Sequence, residues 1–425
     1  MRRLPLLLIA AVLPFSGCNC HDSGESGWSL EDDFEFTEDA GADVSIDVDP
    51  PSFSIDGWGH EEADVADVDD EPVDPWQSEE VEPGVERTHA LTDRTSLAVD
   101  DDGTLWLGYH TCSDIYCSES TLRVVHRPVD GDWSGEDIRE HEGIFGVSVV
   151  GSQAPIVVFP DILDRTFKAA HRQADGSWDL RTFPVSRSSG LRGDGFDVTQ
   201  DGRRYFATFA PADADEVDLF SYDPSADNPL WQRRTPLSVA NPQAAMERGL
   251  RADPGEGVYL VNRDGFDGAY GVHRYDEDAD AWPQSVELDE YPNAFVHSLY
   301  ITDTFELCLS SNHNQRLLVT CGSMFDLTRD VDYFSSEVLA ERHPSSVIEG
   351  DDGTLYVAYN PDRNEELRVA SRDPDTGHWQ VETVFDGPSY GVSTAIAHSG
   401  DLVISFYTCD DDERCSLQVL WETPE

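Results

Sequence analysis

Apolar residues in this chain come in short runs, and the runs repeat. Asp101-Asp102-Gly103-Thr104-Leu105-Trp106-Leu107-Gly108-Tyr109 returns as Asp351-Asp352-Gly353-Thr354-Leu355-Tyr356-Val357-Ala358-Tyr359. A third copy, Ser399 to Cys409, aligns so closely that Cys409 falls where Cys112 falls. Each unit of roughly 48 residues opens with a short strand, such as Ser96-Leu97-Ala98-Val99 or Ser346-Val347-Ile348. An Asp-Gly turn and a strongly apolar strand follow. Beyond a polar loop comes a third strand, as in Leu122 to Arg127, Phe167 to Arg172, Tyr270 to Arg274 and Leu367 to Arg372. A turn rich in Asp, Gly and Pro then leads to a tryptophan opening the fourth: Trp133, Trp178, Trp231, Trp282 or Trp379. Asp-Gly between alternating strands is the strongest short hairpin signal. Four antiparallel strands per unit make one blade of a β-propeller.

First strands near Ser96, Val147, Phe196, Leu250, Ser298, Ser346 and Ser393 predict an all-β, seven-bladed β-propeller over residues 75–425, with six or eight blades left open. The last unit stops after its third strand, at Leu417 to Trp421. Its fourth is predicted at the other end of the chain, because Trp76-Gln77-Ser78-Glu79-Glu80-Val81 matches Trp379-Gln380-Val381-Glu382-Thr383-Val384. That strand would close the ring and remove the free sheet edges that invite aggregation.

The first residues set an address. Met1-Arg2-Arg3 is a charged start and Leu4 to Phe15 an apolar stretch too short to span a bilayer as a mature helix. It ends in Phe15-Ser16-Gly17-Cys18, which resembles the bacterial lipobox, although Phe15 stands where Leu is usual. The resemblance implies a signal peptide over residues 1–17, lipidation of Cys18 and a membrane anchor through that lipid. Asn19 after the cysteine favours the outer membrane or cell surface. Residues 18–74, poor in apolar side chains and rich in Asp, Glu, Gly, Pro and Ser, are expected to be a disordered acidic tether.

Charge narrows the partners. The chain carries 85 Asp and Glu against 28 Lys and Arg, a formal net charge of −57. Asp22 to Glu82 alone holds 23 acids and no Lys or Arg, and Lys168 is the one lysine in the chain. Such a field repels phosphate backbones, so nucleic acid is excluded as a partner. It fits either a salt-rich habitat or plain solubility.

The cysteines fall into local pairs. Cys112 with Cys117 and Cys409 with Cys415 occupy matching loops of the first and last blades, and Cys308 with Cys321 face each other across a hairpin. In an exported protein these predict three disulfides, leaving Cys20 over. Zinc spacings such as Cys-x-x-Cys are missing, and no cofactor or metal is expected. Arg94, Arg192, Arg248 and Arg342 lie in the segments linking one blade to the next. They are candidate ligands for a carboxylate or sulfate, since guanidinium grips both in bidentate fashion. The competing reading pairs each with a neighbouring acid. His126, His171 and His273 recur at one blade position and read as packing.

Leu367 to Arg372 followed by Asp375-Thr376-Gly377-His378-Trp379 resembles the repeat of sialidase-like propellers of bacterial surface proteins, the turn being a worn Asp-box. The resemblance implies the propeller fold. An Arg-Ile-Pro motif, which opens the sialidase arginine triad, does not occur, nor does a nucleophile elbow or His-Glu-x-x-His. The expected function is therefore a recognition or scaffold module without catalytic residues, its partner an acidic glycan or a surface protein. The alternative is a glycan-active hydrolase or lyase on the same disc.

Overall fold

The computed structural model describes residues 76–422, apart from 87–94, 113–119, 142–145, 152–154, 162–165, 185–195, 210–215, 239–241, 254–256, 265–269, 289–294, 305, 314–315, 323–329, 336–344, 363–365 and 411–413. The described residues form strands and turns only, in seven small sheets. An outlying strand, β1 (Trp76–Glu86), precedes the first blade. Blade one is β2 (Ser96–Val99), β3 (Leu105–Cys112), β4 (Ser120–Arg127) and β5 (Ser134–His141). Blade two is β6 (Ser148–Val150), β7 (Ile156–Asp161), β8 (Thr166–Arg172) and β9 (Trp178–Thr182). In blade three, β10 (Phe196–Gln200), β11 (Tyr205–Phe209) and β12 (Glu216–Tyr222) meet a split fourth strand, β13 (Gln232–Arg233) and β14 (Leu237–Ser238). Blade four is β15 (Pro242–Asp253), β16 (Gly257–Asp264), β17 (Tyr270–Asp276) and β18 (Ala281–Leu288). Blade five is β19 (Phe295–Ile301), β20 (Leu307–His313), β21 (Arg316–Gly322) and β22 (Asp330–Ser335). Blade six is β23 (Ser345–Glu349), β24 (Leu355–Asp362), β25 (Glu366–Arg372) and β26 (Trp379–Asp386). Blade seven is β27 (Tyr390–Ile396), β28 (Leu402–Cys409) and β29 (Arg414–Glu422), and β1 is its outermost strand.

The innermost strands β2, β6, β10, β15, β19, β23 and β27 each pack on the next, and β27 returns to β2. The ring is a seven-bladed β-propeller, as the first-strand count predicts. Closure follows the predicted route: β1 runs antiparallel to β29, with Trp76 opposite Glu422 and Glu86 opposite Arg414. Glu79 and Glu82 on β1 then reach Arg127 at 3.2 Å and Arg123 at 3.4 Å, tying blade seven to blade one.

The repeated turn has a backbone cause. Gly103, Gly353 and Gly400 take φ of 80°, 83° and 91°, a region that side-chain-bearing residues avoid. Each donates its N–H three residues back, to Asp100, Gly350 and Ala397, at 2.9 Å. Asp100 fixes its own turn further: Oδ1 accepts from the N–H of Asp102 and Thr104, and Oδ2 accepts from Trp106 Nε1 at 2.9 Å.

Second strands are strongly apolar because both their faces are covered by neighbouring blades. All six residues of β7 are buried, and so are all five of β11. The core is accordingly a set of inter-blade layers. Trp106, Leu122 and Val124 of blade one pack on Val149, Val157 and Phe159 of blade two. Between blades two and three the layer is aromatic, with Phe167, Phe183, Phe209, Phe220, Tyr222 and Trp231.

Candidate functional site at the mouth of the ring

The meander gives each blade two ends. Blade-to-blade connections and second-to-third-strand loops share one end, the mouth, while the tight hairpin turns share the other. Innermost strands start at the mouth, and two of them start irregularly. Pairing of β15 with β16 steps from Ala245↔Asn262 to Leu250↔Leu260, so Met246 to Gly249 stand opposite Val261 alone. On neighbouring β19 the pairing steps from Val296↔Ser311 to Ser298↔Ser310, leaving His297 extra. Bulges of this kind re-aim side chains and concentrate beside binding sites. Arg248 therefore sits in a bulge at the mouth, described in its backbone only. Arg94, Arg192 and Arg342 lie outside the described residues. Their register differs: Arg94 stands two residues before Ser96, Arg192 five before Asp197, Arg248 one before Gly249 and Arg342 four before Ser346. The four share the blade junction and not a single position in it.

Two of the expected disulfides are present. Cys308–Cys321 joins facing positions of β20 and β21, and Cys409–Cys415 joins β28 to β29. Cys18, Cys20 and Cys117 lie outside the described residues; Cys112 ends β3, and its side chain is outside them too.

Around the channel the blades are latched by oxygens near the start of each innermost strand. Ser96 Oγ accepts from the N–H of Val149 in the next blade at 2.8 Å, and Ser393 Oγ accepts from Leu97 at 3.0 Å. Ser148 Oγ takes Val198 N–H at 3.3 Å, Asp197 Oδ2 takes Leu250 N–H at 3.2 Å, and Ser298 Oγ takes Val347 N–H at 3.4 Å. Ser346 Oγ meets Thr394 Oγ1 at 2.7 Å. Each such bond is worth about 0.5–1.5 kcal/mol. Their larger effect is to fix where one blade sits on the next. Asp197 is the acidic exception. It is buried, and desolvation raises its carboxyl above the usual range against the pull of Arg251, whose Nη1 lies 3.6 Å from Oδ2.

Other polar groups near the mouth are held within or between the blades. Asp161, fully buried, receives Lys168 Nζ at 2.6 Å from its own blade and Arg139 Nε at 2.7 Å from blade one. Asp218 binds Arg233 Nε at 2.8 Å. Tyr109 Oη donates to Glu82 at 3.0 Å, and burial raises that phenol strongly. Among the described residues no group of three or more His, Cys, Asp and Glu is arranged to hold a metal. Sequence reading missed the Asp161 cluster, because Arg139 comes from another blade and Lys168 meets Asp161 only through the register of the β7–β8 hairpin.

The recurrent histidines pack, as their repetition suggests. His126 stacks on Trp106 at 4.7 Å, and His273 Nε2 lies 2.5 Å from Asn262 Oδ1. His171 Nε2 accepts from Trp231 Nε1 of the next blade at 3.1 Å. Burial pulls His171 down to about 4 from 6.5. Between those values the unfolded chain takes up a proton that the folded chain refuses, so stability falls as pH drops through the window. The full shift corresponds to at most about 3 kcal/mol. His171→Gln keeps an acceptor for Trp231 and removes the titration. Urea unfolding from pH 7 to pH 4 should then show a shallower loss in the variant than in the native chain; equal slopes would remove His171 from the acid response.

No family model matches the chain, and no curated protein does. Solved structures match in shape. A protein from Lactobacillus plantarum is 14% identical, with a TM-score of 0.48, over 69% of this chain and 85% of its own. A polysaccharide lyase is 9% identical, with a TM-score of 0.50, over 82% of this chain and 99% of its own. At that identity the likeness to the lyase is one of fold.

Proposed function

We propose that the protein is a lipid-anchored, extracytoplasmic recognition or scaffold module whose mouth takes an acidic saccharide or an acidic group on a surface partner. The observation that carries this reading is the irregular rim of blades four and five. There the innermost strands bulge at Arg248 and His297, whereas the described Lys168, Arg139 and Arg233 are committed to carboxylates within or between the blades. In so acidic a chain, arginines at the rim would be the place attractive to an anion. An array of carboxylated and sulfated glycans should bind the full chain, and binding should weaken as salt is raised. Neutral glycans binding equally well would refute the acidic preference. Incubating the bound glycan with the protein separates the rival reading: shortened products would make this an enzyme acting on glycans, in the manner the lyase's fold allows.

The anchor has its own test. Cys18→Ser should abolish lipid labelling and move the protein from the membrane to the soluble fraction. Unchanged membrane retention would sink the anchor.

A further inference from the structure

The ring of latches has one gap. Ser96, Ser148, Asp197, Ser298, Ser346 and Ser393 hold the latch position, opposite Gly108, Val158, Thr208, Ser310, Ala358 and Ser405 of the second strands. Blade four has Gly249 there, the residue before the Leu250↔Leu260 pair. Leu97, Val149, Val198, Leu250 and Val347 each donate their N–H to the latch oxygen of the preceding blade. The equivalent donor in blade five is Leu299, and the glycine offers it no side-chain oxygen.

A cation stands beside the gap. Arg251 follows Gly249 by two residues, so its side chain leaves the same side of β15. Its side chain is 25% exposed, donates from Nη1 to the carbonyl of Leu250 at 2.8 Å, lies 3.6 Å from Asp197 Oδ2 of blade three, and acts electrostatically on Tyr300 across the seam to blade five. Tyr300 in turn follows Ser298 by two. The seam between blades four and five thus has a backbone N–H at the latch position, where the other seams hold a side-chain acceptor, and a part-exposed guanidinium nearby that it shares with Asp197. The bulges carrying Arg248 and His297 flank it on both strands.

We propose that a carboxylate or sulfate oxygen of an acidic saccharide completes the seventh latch, accepting from the Leu299 N–H at the position where Gly249 has no side chain and joining Asp197 as a partner of Arg251. This rests on the acidic-ligand reading above and gives it a location.

The test uses the full chain with sodium glucuronate and sodium sulfate as probes, titrated calorimetrically against sodium chloride at equal ionic strength. Gly249→Ser supplies a side-chain oxygen, and Gly249→Ala adds a side chain without one. Both should weaken binding of the two anions at least tenfold, with the serine variant melting no lower than the native chain. Ser96→Gly opens a gap in another seam and should lower the melting temperature while leaving anion affinity unchanged. Should one glycine variant fail to fold, the other still decides. Anion binding that is undiminished in the glycine variants, or weakened as much by Ser96→Gly, overturns this location and leaves the acidic-ligand reading in place. A native chain that binds neither anion better than chloride overturns both.

Discussion

Deleting residues 1–86 is expected to lower the melting temperature by about 10 °C relative to deleting residues 1–75, or to give an aggregating product. The shorter deletion stops just before β1, and the longer one removes it. Trp76 is 7% exposed and packs on Ile404, Phe406 and Leu420; losing that burial costs about 3 kcal/mol. Glu82 is the acceptor for Tyr109 Oη, and a buried phenol stripped of its partner costs about 1–3 kcal/mol more. A chain of this size converts each kcal/mol into about 2 °C. The outer edge of β29, left unpaired, also becomes a template for pairing with other molecules. Equal melting curves and equal solubility for the two deletions would show that β1 does not hold the ring shut.

Asp161→Ala should cost about 3–5 kcal/mol, more than any other single substitution of a charged residue considered for this fold. The carboxylate lies between Lys168 and Arg139, and its removal leaves an ammonium only 6% exposed without this counter-charge. Breaking a buried pair from one side is far more costly than replacing the whole pair by apolar groups. The double variant Asp161→Leu, Lys168→Met should therefore recover much of the loss. Lys168→Met alone should be milder, since Arg139 still satisfies Asp161. Chemical denaturation of the three variants decides the point: a double variant as unstable as Asp161→Ala would mean that the cluster matters for shape and not for charge.

What was legible in the sequence is what depends on a short stretch of chain. The Asp-Gly turns were visible because Gly103, Gly353 and Gly400 answer to local backbone geometry. The second strands were visible because both their faces are buried, and the closing strand because β1 copies the pattern of β26. Contacts between blades left less trace. Nothing near Asp161 points to Arg139, which lies in another blade. Latching by Ser96, Ser148 and Ser393 looks in sequence like any small residue at a strand start, and only the seven-fold comparison exposes Gly249 as the odd one. Arg94, Arg192, Arg248 and Arg342 were recognisable as junction residues. Their unequal spacing from the latch position emerged once the strand registers were known.

The route of β1 has a mechanical consequence. The chain joins the ring at Trp76, opposite Glu422, at the end carrying the hairpin turns, and runs from there toward the mouth. Tension between Trp76 and anything gripped at the mouth would therefore act along the strand axis and not across it. The paired positions from Trp76 to Glu86 would share such a load in shear, whereas a pull across the sheet would open the ladder one rung at a time. The segment that seals the disc is thus also shaped to resist being drawn out of it.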